Sequence, residues 1–547
     1  MIQYFLFLLS FIILGLSFLT PTDRTLWNGF VGEYLVFIAV FFLLISISFN
    51  KVKLPKILIP ILVCACIPLI QFIFGQVYLW TIAIVSFFYL ITFSFSIIGA
   101  YSSESLYKSK LMIYLCTTFI VSGCISVVMA CSQWLNFYIQ YLPTLELSGS
   151  RPFANFGQPN HLSTFLFMGL ISVWYLYETN RFKSYFLYLI ALFLLFGIAL
   201  TQSRTAWVVC LCIAFFYFLI KTRAQLKLKI LGFGSLFASY IVFISTLPTI
   251  TKFLEQLFEL DLAQARDVVS RASSGHERLS LWQQSWDLIL LQPWQGYGWN
   301  QVSVSIVENI DRFYWGLWYT SSHNIVLDIF LWVGIPFGIL ILAYVCWLLY
   351  ILLIHAKSKE AYLSLMMMLP ILVHASLEYP LSYSYFLLPL GLLLGIALAD
   401  IKYLKVFEMN KIFSSILLFI YATCLAIVWQ EYVNSLADQS KAKILALERM
   451  VKKDVSSLTI SNKYYLLTSL EYHAIWVALD VKKKYSVAEL NKFEKFVKVN
   501  PSEYNLLKLT QIYLVNENYK KADLSLHIFN ILYKRNDKIE DVVKSLN

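Results

Sequence analysis

The residues able to do chemistry in this chain are few, and they stand at the edges of apolar runs. The stretch RPFANFGQPNHLS, Arg151 to Ser163, packs an Arg, two Asn, a Gln and a His between two apolar segments. TQSRTAW carries Arg204 where two further runs meet. An Arg there can snorkel to lipid head groups, or its planar fork can hold phosphate oxygens. Arg278 opens an amphipathic segment that ends before Pro293, with Arg271 and His276 just upstream and Glu277 suited to the first-turn dipole. The four Trp of that region (Trp282, Trp286, Trp294, Trp299) suit a helix on a membrane surface or platforms for sugar stacking. His323, in YTSSHNIVLD, can serve as a hydrogen-bonded structural residue or take a proton from an alcohol near neutral pH. HASLEYPLSY sets His374 and Glu378 four residues apart, on one helical face, with Tyr379 and Pro380 at the boundary. Ionisable groups within spans are costly and point to function.

Other chemistries lack their motifs. The chain has no phosphate-binding loop, no dinucleotide fingerprint, no H-E-x-x-H and no D-x-D, so neither a nucleotide nor a tightly held metal is expected. The nine cysteines all lie in apolar runs, and Cys64-Ala-Cys66 and Cys210-Leu-Cys212 have the wrong spacing for zinc or redox pairs.

The elements that position these residues follow from composition. The 547 residues are 59% apolar and 14% charged, against roughly 25% charged in soluble domains. Apolar runs near 3–20, 31–48, 55–74, 77–100, 110–135, 161–178, 184–201, 205–221, 228–247, 324–355, 360–378, 381–400 and 411–431 each approach the roughly 20 residues that cross a bilayer. The fold class is therefore an all-α polytopic membrane protein with about 13 transmembrane helices. The first span has no basic flank or small-residue cleavage site and reads as retained. Lys51, Lys53 and Lys56, then Lys221, Arg223, Lys227 and Lys229, then Lys402, Lys405 and Lys411 fall in alternate connectors. That places those connectors in the cytoplasm and makes the formal charge of +11 a topology signal rather than a sign of nucleic acid.

Three blocks result: N-terminal spans over 1–135, a core over 136–431 and a soluble helical tail over 432–547. Within the core, the 151–163 run and a long loop over about 248–322 face outside. The tail is outside with thirteen spans and cytoplasmic with twelve. Its YNLLKLTQIYLVNENYKKADLSLHIFNILYK segment reads as two helices joined at Asn516-Glu517-Asn518, loosely like a tetratricopeptide pair. The 324–355 run is too long for one crossing, and Gly334, Pro336 and Gly338 predict a break within it, of the kind that borders a cavity. An outward-facing enzyme does not meet cytosolic nucleotide sugars. Its donor must be activated in the membrane, as a polyprenyl-diphosphate sugar is, and the departing pyrophosphate needs cationic stabilisation.

RPFANFGQPNH resembles the signature of the bacterial PglL-type O-oligosaccharyltransferases, the pilin glycosylation ligases. TQSRTAW, the Arg278 helix with PWQGYGWN, and SSHNIVLDIFLWVGIPFG resemble the wider O-antigen ligase and polymerase superfamily. HASLEYPLSYSYFLLPLGLLLG resembles the ligase subgroup. The resemblance implies a GT-C-like, inverting glycosyltransferase of the bacterial inner membrane with its active site toward the periplasm. It implies en bloc transfer of a glycan from undecaprenyl diphosphate to Ser or Thr of a pilin or other periplasmic protein, with no cofactor and no metal. Arg204 and Arg278 would hold the pyrophosphate, His323 would be the acceptor base or would orient the acceptor, and Glu378 would complete the catalytic set. Arg151, Gln158, Asn160, His161, Asn324 and Tyr379 would bind substrate. A lipid A core ligase, a repeat-unit polymerase and a non-enzymatic polysaccharide transporter are the alternatives.

Overall fold

The structure is a computed structural model of the 547-residue chain, and it describes residues 1–22, 26–107, 110–258, 262, 276–312, 318–450, 460 and 462–544. Each of the thirteen apolar runs is helical. Nine described helices are long and apolar enough to cross a membrane. The remaining four runs form the Pro159–Glu178, Arg204–Ile220, Lys359–Ala375 and Ser384–Ala399 helices, which are shorter or more polar. All nine cysteines are free thiols.

Two ends differ from the sequence reading. The helix expected to stop near 247 runs from Ile230 to Phe258 with Pro248 inside it. Proline removes one backbone donor and bends a helix without always ending it. The last apolar run continues as one helix from Lys411 to Met450, because the polar sequence after 431 keeps strong helix formers.

The chain folds into two compact units that follow packing rather than chain order. One holds Met1–Leu62, Tyr89–Gly275 and Val345–Ala422; the other holds Val63–Phe88, His276–Tyr344 and Thr423–Asn547. In the first unit the basic connectors gather at one end. Val52–Pro55 pairs antiparallel with Val406–Met409, and Lys51 bridges to Glu408. Buried Glu178 accepts from the backbone N–H of Lys227 (2.8 Å) and Leu228 (2.9 Å) and from Lys359 Nζ (3.0 Å). The expected charge pattern therefore coincides with a shared face.

Close helix contact in this unit uses Gly391 and Gly395. A Cβ on Gly391 would stand 1.9 Å from Ser96 Oγ, and one on Gly395 would stand 2.4 Å from the Ile97 carbonyl. Small residues one turn apart let backbones approach in this way. A second organising residue is Glu33, a buried carboxylate inside the Phe30–Ser48 helix. It accepts from the Tyr89 hydroxyl, from Ser384 N–H (2.9 Å) and from Trp27 Nε1 (3.3 Å), so it fixes the start of the Ser384–Ala399 helix.

In the second unit the Ile325–His355 helix breaks at Gly334, whose φ of 77° and ψ of 172° are non-helical. The freed carbonyls are taken up by the PWQGYGWN loop. Tyr297 N–H donates to the Leu331 carbonyl (2.7 Å), Gly298 N–H to Trp332 (3.2 Å), and Ile335 N–H to Pro293 (2.7 Å). Gln71 adds a side-chain bond to the Trp332 carbonyl (2.8 Å) and receives Trp299 N–H (2.9 Å). The predicted break is real, and it is filled by backbone.

The tail packs within this same unit on the loop helices His276–Leu291 and Val302–Glu308. Leu288, Ile306, Trp476, Phe496 and Phe529 share one core, and Ser303 Oγ donates to the Val499 carbonyl (2.7 Å). Tail and loop helices therefore share one core within this unit. The expected pair is present as Glu503–Val515 and Tyr519–Tyr533, with Asn518 capping the second helix. Buried Lys508 donates to the Trp476 (2.6 Å) and Val477 (3.2 Å) carbonyls, closing the end of the Thr468–Ala478 helix.

Candidate active site

The signature run divides into a scaffold and a presented edge. Gln133, from the Lys110–Trp134 helix, accepts Phe153 N–H (2.9 Å) and Ala154 N–H (2.8 Å) and donates to the Ala154 carbonyl (2.8 Å). Asn155 donates to the Leu19 (2.6 Å) and Pro143 (2.8 Å) carbonyls and accepts Leu145 N–H (3.0 Å). Ala154 and Gly157 turn the chain at positive φ, 51° and 69°, and Phe153 and Phe156 are buried. These side chains hold the loop itself.

The presented edge converges on Glu378. Gln158 Nε2 donates to Glu378 Oε2 (2.6 Å) and Asn160 Nδ2 to Oε1 (2.6 Å). His374 Nε2 stands 3.1 Å from Oε2, as the four-residue spacing predicts. Hydrogen bonds to charged acceptors are the strong ones, so this cluster ties the start of the Pro159–Glu178 helix to the end of the Lys359–Ala375 helix. Asn160 Oδ1 accepts the Ser203 hydroxyl (2.7 Å), and the next residue, Arg204, opens the Arg204–Ile220 helix and is exposed.

His161 is buried, with Nδ1 2.9 Å from the Tyr385 hydroxyl. Tyr379 stacks on Tyr383 (6.1 Å between centroids), and burial beside Glu378 raises its phenol above the ordinary range. Gln158, Asn160, His161, Glu378 and Tyr379 are thus brought together. Arg151 begins the same run and is half-buried.

Arg278, His323 and Asn324 belong to the second unit. His323 is half-buried in the left-handed region, φ 56°, and its N–H donates to Ser321 Oγ (3.0 Å). Asn324 caps the next helix through Val326 N–H (3.0 Å). Asp328 sets this turn by accepting Ser321 Oγ (2.6 Å) and Ser322 N–H (2.7 Å). Arg278 lies in the first turn of the His276–Leu291 helix, half-buried. Arg271 and the side chains of His276 and Glu277 lie outside the described residues. Of the loop tryptophans, Trp299 packs on Trp332 (4.7 Å) while Trp286 and Trp294 are exposed.

Residues 152–177 match the family model described as protein glycosylation ligase, 189–343 match O-antigen ligase, and 362–546 match virulence factor membrane-bound polymerase, C-terminal. A general O-oligosaccharyltransferase of Acinetobacter baylyi is 32% identical across 99% of this chain and 94% of the relative. The chain belongs to the O-oligosaccharyltransferase family. It is a multi-pass membrane glycosyltransferase that carries out O-linked oligosaccharyl transfer to protein. A ComP-specific O-oligosaccharyltransferase of the same organism is 26% identical over 88% of this chain and 86% of its own length. The non-enzymatic transporter alternative falls with this relationship. In this oligosaccharyltransferase the glycosylation-ligase match begins one residue after Arg151 and spans the whole Glu378-binding edge, so the matched segment and the cluster coincide.

Sequence reasoning passed over Gln133, Thr164, Ser203, Asp328, Tyr385 and Glu33. Asp328 stood within a quoted motif. Isolated polar residues inside apolar helices were the available signal for Glu33 and Thr164.

Proposed function

We propose that the donor is an undecaprenyl-diphosphate-linked oligosaccharide and that the acceptor is a Ser or Thr hydroxyl of a periplasmic protein, pilins included. The site faces the periplasm of a bacterial inner membrane. In the transfer, the acceptor oxygen attacks the anomeric carbon, the bond from that carbon to the diphosphate breaks, and undecaprenyl diphosphate leaves with the bonding electrons. A single displacement inverts the anomeric centre. His323 takes the proton from the acceptor hydroxyl. Arg204 and Arg278 stabilise charge on the departing pyrophosphate. Glu378 and Tyr379 shape the site with Gln158, Asn160 and His161, while Arg151 and Asn324 contact substrate from the loop ends. The chemical step uses no metal.

One observation carries this reading. The signature edge is bonded to Glu378, and through Asn160 and Ser203 it reaches the turn that bears exposed Arg204. The guanidinium also gains from the positive end of its helix in drawing an anion. Co-expression of the chain with an acceptor pilin and a lipid-linked glycan, read by intact mass, tests it. Arg204→Ala and His323→Ala are expected to lower transfer about 10²–10³-fold, the scale of losing one preorganised charge or base. Undiminished transfer by either variant removes that residue from its role.

A further inference from the structure

His161, His374 and Glu378 each offer a ligand atom, and these atoms lie within 4.8 Å of one another. All three residues are buried, His374 completely and the other two at 1% and 4% exposure. Each imidazole is engaged at Nδ1 by a hydroxyl, His161 by Tyr385 (2.9 Å) and His374 by Thr164 (2.9 Å). That leaves both Nε2 atoms for the cluster. His374 Nε2 faces Glu378 Oε2 at 3.1 Å. His161 Nε2 is enclosed and has no hydrogen-bond partner. When each Nδ1–H donates to its hydroxyl, both Nε2 lone pairs and the carboxylate are acceptors gathered in one region, an arrangement a cation stabilises.

We propose that His161, His374 and Glu378 form a binding site for a divalent transition metal, with Zn2+ the best fit to the donor set. Two imidazoles and a carboxylate are ligands of zinc chemistry. Three atoms spaced by at most 4.8 Å leave a central ion no more than about 2.8 Å from each, so shifts of under about 1 Å reach the ~2.0–2.2 Å of zinc sites. The surrounding contacts match what metal-bound histidines require, since the second ring nitrogen of each is held by a neighbour and fixes the tautomer. Gln158 and Asn160 hold the carboxylate in the same way. The ion locks the signature edge to the end of the Lys359–Ala375 helix and takes no part in glycan transfer. This departs from the sequence-based expectation that no residue here holds a metal, and it stands independently of the donor and acceptor assigned above.

The full chain, purified in detergent with a non-histidine tag and stripped with a chelator, is titrated with Zn2+ and, separately, with Co2+. Elemental analysis after desalting and the Co2+ ligand-field absorption give stoichiometry and affinity. One ion per chain is expected, with loss of that stoichiometric binding in His161→Ala and His374→Ala. Thr164→Val and Tyr385→Phe keep every ligand, and each is expected to weaken affinity about 10–100-fold. Failure of the intact chain to bind one equivalent overturns the proposal whatever the variants do, and so does affinity unchanged across all four.

Discussion

Asn160 and Glu378, 218 residues apart in sequence, meet in a 2.6 Å hydrogen bond in a buried cluster. The bond joins the segment that matches a protein glycosylation ligase to the boundary after the Lys359–Ala375 helix. Removing the carboxylate strands Gln158, Asn160 and His374 together. Glu378→Ala is expected to cost about 3–5 kcal/mol, the scale of breaking a buried charged contact, and Glu378→Gln less, because it keeps the shape and one acceptor. Thermal unfolding in detergent measures the order. Equal midpoints for the two variants would mean that the charge contributes nothing.

The break at Gly334 makes a separate demand. A Cβ there would stand 2.5 Å from the Trp294 carbonyl carbon and oxygen, at a φ of 77° that side chains rarely adopt. Gly334→Ala is expected to cost at least the ~1–3 kcal/mol of backbone strain and to release the 293–300 loop. Proteolysis mapped by mass spectrometry should show new cleavage in that loop. A wild-type digestion pattern would show that the interlock yields without cost.

The buried Lys508 gives a pH signature. Burial lowers its pKa to about 8, below the ~10.4 of a free lysine. Between those values the unfolded chain binds more protons, so this group's contribution rises as pH climbs through the window and is lost as pH falls through about 8. The full swing is on the order of 3 kcal/mol. The difference in unfolding midpoint between the intact chain and Lys508→Met should therefore change between pH 7.5 and roughly 10. A constant difference contradicts the assignment.

Much of the architecture was legible in sequence because the bilayer imposes it. Apolar length gave the spans, Gly334 and Pro336 gave the break, and the spacing of His374 and Glu378 gave their contact. The partners of these features were not legible. Gln133 reaches Ala154, Ser203 reaches Asn160 and Tyr385 reaches His161 only through tertiary packing, which has no local period. Glu33 was a visible signal, a carboxylate in an otherwise apolar helix, yet its partners Tyr89 and Ser384 come from distant helices. In the run from Arg151 to Ser163, the first half supports the loop through Asn155 and Phe156, and the edge from Gln158 to His161 is what it presents.

Tail and loop share a core, so the tail is not a detachable module. A chain ending at residue 462 loses Trp476, Phe496 and Phe529 from that core. Protease sensitivity of the His276–Leu291 and Val302–Glu308 helices is expected to rise sharply, and transfer to be lost with it. Intact protection of those helices after truncation would make the tail an independent domain.

The central claim is that this chain places a preassembled glycan on a protein hydroxyl and depends on Arg204 to do so. Intact-mass spectrometry of a co-expressed pilin, with a lipid-linked glycan supplied, tests it most directly. The account predicts a mass increase of one whole glycan with the wild-type chain and its near-complete loss with Arg204→Ala at equal expression. An unmodified pilin and an unmodified periplasmic proteome in the presence of the wild-type chain would contradict it.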